Sequence, residues 1–172
     1  MPTVDFGPWL PDQAAIGAPH AEEALNVLPG VDHYRPVKSL QATTGALGAR
    51  CRGAFPARDI DNAAHMFACD SDEIYKLIGT TWTNYSRTAA YTTATTTTRW
   101  RGTTYGDRLI LTNALDELQY LDMSTAATQF ANLAGSPGTA KFIATYGEFV
   151  FLGALGSSGM AIKWSALGNS ES

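Results

Sequence analysis

The sequence predicts a mainly β protein, in which four-stranded β-propeller-like blades follow an extended N-terminal arm. Three observations predict this: short apolar runs separated by turn residues, internal repetition at offsets of 41 to 49 residues, and an opening rich in Pro and Gly. We expect the arm over residues 1–47 and the blades over residues 48–172. A span of this length holds two to three blades, the last of them incomplete.

The arm is predicted from its prolines and glycines. Most of the prolines of the chain lie in this part, in runs such as Gly7-Pro8-Trp9-Leu10-Pro11 and Arg35-Pro36. Each proline fixes its own φ and moves the preceding residue towards extended geometry. The segment is therefore expected to be an arm rather than a domain with its own core.

The blades are predicted from three pairs of similar segments that follow one another in the same order. They are 50–53 with 99–102, 72–77 with 116–121, and 104–111 with 145–152, at offsets of 49, 44 and 41 residues. A period of this length, divided into four short strands, is typical of a propeller blade.

Each blade is divided into strands by its turn residues. The predicted strands are 50–57, 63–69, 73–78 and 82–86, then 99–105, 108–113, 117–122 and 129–133, then 140–145, 148–153 and 160–164. Gly106-Asp107 and Gly147-Glu148 lie where a tight hairpin turn is needed, with Gly supplying the positive φ. The run Leu109-Ile110-Leu111 is typical of a strand that is buried on both faces.

A helix is the alternative for two of these segments. Residues 113–121 begin with an N-cap candidate, Asn113, and carry apolar residues at Leu115, Leu118 and Leu121. Residues 63–78 are similarly ambiguous. The matching position of both segments in the repeat favours strands.

Composition limits the classes of function. Only 16% of the residues are charged and the net charge is −4, so sequence-specific nucleic-acid binding is not expected. No apolar run reaches the 18 residues of a membrane span. Two cysteines are too few for a disulfide framework or a zinc site, and no catalytic, metal-binding or phosphate-binding motif is present in the sequence. We therefore expect neither an enzyme nor a protein with a metal or cofactor.

Several segments resemble virion proteins of tailed bacteriophages. Near the N-terminus they are Phe6-Gly7-Pro8-Trp9-Leu10-Pro11-Asp12, Ala24-Leu25-Asn26-Val27-Leu28-Pro29-Gly30 and Tyr34-Arg35-Pro36. Further along they are Tyr105-Gly106-Asp107-Arg108-Leu109-Ile110-Leu111-Thr112-Asn113 and Trp164-Ser165-Ala166-Leu167-Gly168. The chain is similar in these segments to the tail hub or nozzle proteins of short-tailed phages, also called packaged-DNA stabilisation proteins.

The resemblance implies a structural subunit of the tail hub, nozzle or head-to-tail connection, made in the cytoplasm of the bacterial host and located in the virion tail. Its partners would be further copies of itself in a homo-oligomeric ring and other tail or connector proteins. An acidic surface would suit a channel through which DNA slides without binding.

The length departs from that family, whose members have several hundred residues. A closed propeller needs 4 to 8 blades, so the three blades expected here would leave sheet edges exposed. Three explanations remain open: the chain is part of a longer protein, a neighbouring chain completes the structure, or the fold is not a propeller.

Candidate site residues follow from these hypotheses. In the structural hypothesis, apolar and arginine side chains of the arm contact a neighbouring subunit, namely Trp9, Leu10, Leu28, Tyr34 and Arg35. In the alternative hypothesis, the chain is a carbohydrate- or receptor-binding propeller module with Trp82 and Trp100 as a sugar platform. A glycosidase would need two opposed carboxylates, and no spacing singles out a pair among Asp70, Asp72, Asp107 and Asp116.

Overall fold

A computed structural model describes residues 25–29, 34–37, 39, 41–95 and 97–171 of the 172-residue chain. These residues are mainly β and contain no helix. Their thirteen strands are β1 (Val27–Pro29), β2 (Tyr34–Pro36), β3 (Gly53–Arg58), β4 (Ala64–Cys69), β5 (Ile74–Ile78), β6 (Thr81–Asn84), β7 (Arg101–Tyr105), β8 (Arg108–Thr112), β9 (Gln119–Asp122), β10 (Ala131–Asn132), β11 (Ala140–Tyr146), β12 (Phe149–Leu155) and β13 (Ile162–Trp164).

The chain divides into two compact units, Met1–Ala42 and Thr43–Ser172. In the first unit, β1 and β2 form an antiparallel hairpin. The hairpin is extended by a hydrogen bond from the backbone N–H of Val37 to the carbonyl of Asn26, at 2.9 Å. Within the predicted arm, β1 and β2 therefore form a two-stranded ribbon.

The second unit contains three antiparallel sheets in which every strand pairs with the next one along the chain. The first sheet is β3-β4-β5-β6, the second sheet is β7-β8-β9-β10, and the third sheet is β11-β12-β13. The prediction of two four-stranded units followed by an incomplete one is confirmed at the level of strands and their pairing. The described sheets do not close on one another, so a propeller remains a prediction.

The helix alternative for residues 113–121 is wrong. Asn113 Oδ1 accepts the backbone N–H groups of Leu115 and Asp116, which closes a turn, and β9 begins three residues later. Asp70 Oδ1 accepts the N–H groups of Asp72 and Glu73 in the same way, before β5. A side chain that caps a turn of this kind competes with helix formation.

The tight turns of β7–β8 and β11–β12 are as predicted. Tyr105 pairs with Arg108, and Tyr146 pairs with Phe149, so each loop has two residues. The first loop residue has positive φ in both cases, +54° at Gly106 and +56° at Gly147. Glycine is needed there because it carries no Cβ.

The second sheet lies between the first and the third. A core between the first and second sheets contains Phe67, Ile74, Trp100, Leu109, Leu111, Leu121 and Phe130. A second core, between the second and third sheets, contains Ile110, Leu118, Leu133, Val150 and Leu152. Alternate residues of β8 therefore point into different cores, and this is why its apolar run is continuous.

The first strands of the three sheets lie side by side, with β7 in contact with both β3 and β11. Thr103 Oγ1 donates to Thr145 Oγ1 at 2.9 Å, and the guanidinium of Arg101 donates to the carbonyl of Lys141 at 2.7 Å. The sheets thus follow one another in chain order through equivalent strands.

A candidate assembly surface

The residues predicted to contact a neighbouring subunit lie in the first unit. Trp9 and Leu10 are outside the described residues. Leu28 and Arg35 are exposed, and they are direct partners across the β1–β2 hairpin. Tyr34 belongs to β2, and its side chain is outside the description. The structure therefore brings an apolar and a cationic side chain together on the ribbon.

The two tryptophans of the alternative sugar platform are in different environments. Trp100 is 3% exposed, packs edge-on against Tyr91 with ring centroids 5.1 Å apart, and donates its indole N–H to the carbonyl of Asp70. It is a core residue and cannot present its ring to a sugar. Trp82 in β6 is half-buried and donates its indole N–H to Thr44 Oγ1 at 3.3 Å.

The contacts between successive sheets define two kinds of face. We call the side of a sheet that is turned towards the next sheet in the chain its leading face, and the opposite side its trailing face. The leading face of the first sheet presents Phe67 and Ile74 to Leu109 and Leu111 on the trailing face of the second sheet. All four side chains are at most 1% exposed.

The same arrangement recurs between the second and third sheets. The leading face of the second sheet presents Ile110 and Leu118, both fully buried, to Val150 and Leu152 on the trailing face of the third sheet. Tyr120 packs against this core from the outer part of the second sheet.

Strand register shows which residues of the third sheet are equivalent to Ile110 and Leu118 of the second sheet. Ile110 pairs with Tyr120 across β8–β9, and Phe151 pairs with Trp164 across β12–β13. Ile162 therefore corresponds to Leu118, and Leu118 corresponds to Ile74, each 44 residues apart. The same 44-residue spacing therefore relates equivalent leading-face residues of all three sheets.

The leading face of the third sheet is apolar and open to solvent. Its cross-strand rows are Tyr146 with Phe149, Ala144 with Phe151 and Trp164, and Phe142 with Gly153 and Ile162. Exposed fractions are 68% for Ile162, 61% for Trp164 and 81% for Tyr146, against zero for Ile74 and Leu118. No residue in these rows carries a charge.

The middle of this surface is aromatic. Phe149, Phe151 and Trp164 line a shallow depression, and the two phenyl rings are tilted at 54° with centroids 6.2 Å apart. At one end, the guanidinium of Arg101 lies over the ring of Phe142, 4.4 Å from its centroid. We call the surface formed by Phe142, Tyr146, Phe149, Phe151, Ile162 and Trp164 the aromatic face.

The trailing face of the first sheet is open in part. Its inner strands present Ala54, Pro56 and Met66, which are exposed. Its outer strands are partly covered by the segment that precedes β3, because the backbone N–H of Gly45 donates to the carbonyl of Thr80. An apolar strip on β3 and β4 is left in contact with solvent.

Three of the four carboxylates named for a glycosidase, Asp70, Asp107 and Asp116, accept structural hydrogen bonds, and the fourth residue, Asp72, is exposed. Asp70 caps a turn, and Asp107 Oδ1 accepts the backbone N–H of Ile60. Burial by itself raises the pKa of Asp116, but hydrogen bonds from Asn113 and Thr92 and the nearby charge of Arg87 outweigh it, so the pKa of Asp116 is lowered.

Within the part of the chain that the structure describes, no group of three or more His, Cys, Asp and Glu side chains could hold a metal ion. Cys51 is exposed, Cys69 is buried, and both are free thiols.

Sequence reasoning missed the aromatic face: Trp164 is a candidate for stacking on sugars in the sequence, like Trp82 and Trp100, but only the latter two were chosen as the platform. A signal was present in the sequence. Residues Ile74, Leu118 and Ile162 share a 44-residue spacing, and only the last of them has no following sheet among the described residues. The repeat and the position of the third sheet together point to this surface.

Comparison of the chain with known protein families and with curated proteins finds no match to either. No helix within the described residues is long and apolar enough to cross a membrane.

Proposed function

We propose that this chain is a structural subunit that acts by assembly with neighbouring subunits, as a component of a bacteriophage tail hub, nozzle or head-to-tail connection. The observation that carries the assembly role is the aromatic face, an apolar sheet surface whose equivalents in the first two sheets are buried. The assignment to a phage tail rests on the resemblance of the arm and of residues 105–113 and 164–168.

Burial explains why such a surface favours assembly. Covering a large apolar side chain contributes about 1.5–3 kcal/mol, and aromatic residues are enriched at the centres of protein interfaces. Trp164 and Ile162 are more than half exposed. Contact with another protein surface would remove them from water.

The ribbon of the first unit supplies a second contact. Leu28 is 54% exposed beside Arg35, which can form a charge-assisted hydrogen bond with a carboxylate of a neighbouring subunit. An apolar anchor next to a charge of this kind is typical of a short docking segment.

The alternative, a sugar-binding module, is less well supported. Sugar sites combine an aromatic platform with hydrogen-bonding side chains, because every hydroxyl that is buried must be satisfied. The cross-strand rows of the aromatic face hold only two polar side-chain groups, the Tyr146 hydroxyl and the Trp164 indole N–H, and the Arg101 guanidinium at one end already donates to the carbonyl of Lys141. Trp100 is buried, and the indole N–H of Trp82 is already bonded to Thr44.

The test is incorporation into phage particles. A chain that lacks residues 1–40 should stay soluble but be absent from purified particles, measured by mass spectrometry of the virion proteins. The double variant Leu28→Ser, Arg35→Ser should also reduce incorporation. Val37→Ser, a change at an exposed apolar residue just outside β2, is the matched control and should be incorporated normally.

Normal incorporation of the truncated chain would contradict the role of the arm. Absence of the unaltered chain from every particle would contradict the proposed function as a whole.

A further inference from the structure

The two cores of the second unit are successive copies of one kind of sheet-to-sheet interface. Phe67 and Ile74 enter the first core, and Ile110 and Leu118 enter the second from equivalent positions. In each case the other side of the interface is the trailing face of the following sheet. The third sheet presents the next residues of this series, Phe151 and Ile162 with Trp164, to solvent.

The first sheet presents the complementary half of the same interface. Phe67 pairs with Lys76 as Ile110 pairs with Tyr120 and Phe151 with Trp164. The residues that precede Phe67, Ile110 and Phe151 are therefore equivalent, namely Met66, Leu109 and Val150. Leu109 and Val150 are buried by the preceding sheet, whereas Met66 is 39% exposed.

We infer that the aromatic face of one chain binds the trailing face of the first sheet, at Ala54, Pro56 and Met66, in a second copy of this chain. This inference rests on the proposed assembly role and names its partner. The described residues already form this interface twice, and among them no sheet covers the leading face of the third sheet or the exposed strip of the trailing face of the first sheet.

The symmetry of such a contact limits its products. The two surfaces are different, so the contact is heterologous, and copies joined through it form either a closed ring or an open filament. Two copies closed on each other would bring together six sheets, three from the second unit of each chain. Six is within the 4 to 8 blades of a β-propeller. The small side chains Ala54 and Pro56 leave room for aromatic rings from the partner.

A pair of charge variants tests the inference in solution. Trp164→Lys alters the aromatic face and Met66→Glu alters the trailing face of the first sheet, while Ile60→Glu, at a 79% exposed residue outside both faces, is the matched control. Association is measured by analytical ultracentrifugation across micromolar concentrations, after circular dichroism has shown that each variant is folded.

The expected result is a dimer for the wild-type chain and for Ile60→Glu. Each of the other two variants alone should dissociate with a Kd raised by roughly tenfold or more. A one-to-one mixture of Trp164→Lys with Met66→Glu should form a heterodimer, because one of its two interfaces then contains no substitution.

Three results would overturn the inference. One is a wild-type chain that stays monomeric throughout the concentration range. Another is a Met66→Glu variant that dimerises normally while Trp164→Lys does not, which would indicate contact between two aromatic faces. The third is a mixture that associates no better than its components. None of these depends on phage particles, so failure here is distinguishable from failure of the incorporation test.

Discussion

At the scale of single residues, Trp100 both packs in the core and forms a hydrogen bond. Its ring packs against Tyr91 and its N–H donates to the carbonyl of Asp70 at 2.9 Å. Burial raises the pKa of Tyr91 to about 12, so its hydroxyl keeps its proton and donates to Gln119 Oε1. The three residues Asp70, Tyr91 and Trp100 join the first sheet to the linker that leads into the second.

We expect Trp100→Phe to lower the free energy of unfolding by about 1–3 kcal/mol, because it leaves a buried carbonyl without a donor and opens a small cavity. Trp164→Phe, at a residue that is 61% exposed, should change it by less than about 0.5 kcal/mol. Urea denaturation of the two variants measures the difference. Equal effects would show that Trp100 is not a core residue.

Asp116 is a second residue at which several elements meet. It accepts hydrogen bonds from the guanidinium of Arg87 at 3.1 Å, from the backbone N–H of Thr92 at 2.8 Å and from the side chain of Asn113 at 2.7 Å. Arg87 also donates to Asn132 Oδ1 in β10. The carboxylate therefore ties the linker between the first two sheets to the turn before β9.

Asp116→Asn should destabilise the protein by about 1–3 kcal/mol at neutral pH, since it removes a charge and an acceptor for these donors. The folded-state pKa of Asp116 lies below the ordinary 3.8. Its stabilising contribution is therefore complete above pH 3.8 and is lost as the pH falls through the lower, folded-state value.

The difference between wild type and Asp116→Asn should accordingly shrink at acid pH, measured by urea denaturation at a series of pH values. Asp61→Asn, at an exposed carboxylate, is the control and should have little effect on the free energy of unfolding. A difference between wild type and Asp116→Asn that did not vary with pH would contradict the account.

At the scale of elements, each sheet is built by hairpins whose turns are set locally. The β11–β12 hairpin reverses at Gly147, where an added Cβ would meet no atom within 4 Å. The requirement for glycine is thus conformational rather than steric, since only the positive φ is unfavourable for other residues.

Gly147→Ala should cost about 1 kcal/mol of unfolding free energy, because alanine is strained at a φ of +56°. Gly159 also has open space around its Cβ position but does not have positive φ, so Gly159→Ala serves as the control and should be nearly neutral. Thermal unfolding of both variants measures the contrast. A neutral Gly147→Ala would mean that the turn changes type without cost.

At the scale of the whole molecule, burial depends on position in the series of sheets. Leu118 and Ile162 are equivalent residues of successive sheets, yet the first is fully buried and the second is 68% exposed. The third sheet covers Leu118, and among the described residues no sheet covers Ile162.

Leu118→Ala should therefore destabilise the chain by about 2–5 kcal/mol, and Ile162→Ala by less than about 0.5 kcal/mol, when both are measured at concentrations where the chain is monomeric. Guanidinium denaturation gives the two values. A large effect of Ile162→Ala in the monomer would show that some part of the chain covers the aromatic face.

Much of the fold could be predicted from local signals. Gly106 and Gly147 set two-residue hairpins, Asp70 and Asn113 cap turns, and the apolar runs between them are the right length for strands. Residues 113–121 resemble a helix when they are taken alone. Their position in the repeat, which matches that of residues 72–77, is what favoured a strand.

The candidate site was less predictable. Leu28 and Arg35 could be expected to be exposed because they lie in an arm without its own core, but their pairing depends on the β1–β2 register. Trp82 and Trp100 could not be placed from sequence, because an aromatic residue in a strand suits a core and a binding surface equally well.

The sequence by itself determined the strands, their order and the turns that join them, because those depend on backbone conformation and on contacts between residues close in the chain. Only the tertiary structure decided which apolar residues are covered. A sheet face is covered by another part of the fold, and which part covers it depends on the arrangement of all the sheets rather than on the residues of that face. Trp100 and Trp164 demonstrate this: both are strand-like aromatic positions in the sequence, and the tertiary structure buries the first and leaves the second exposed.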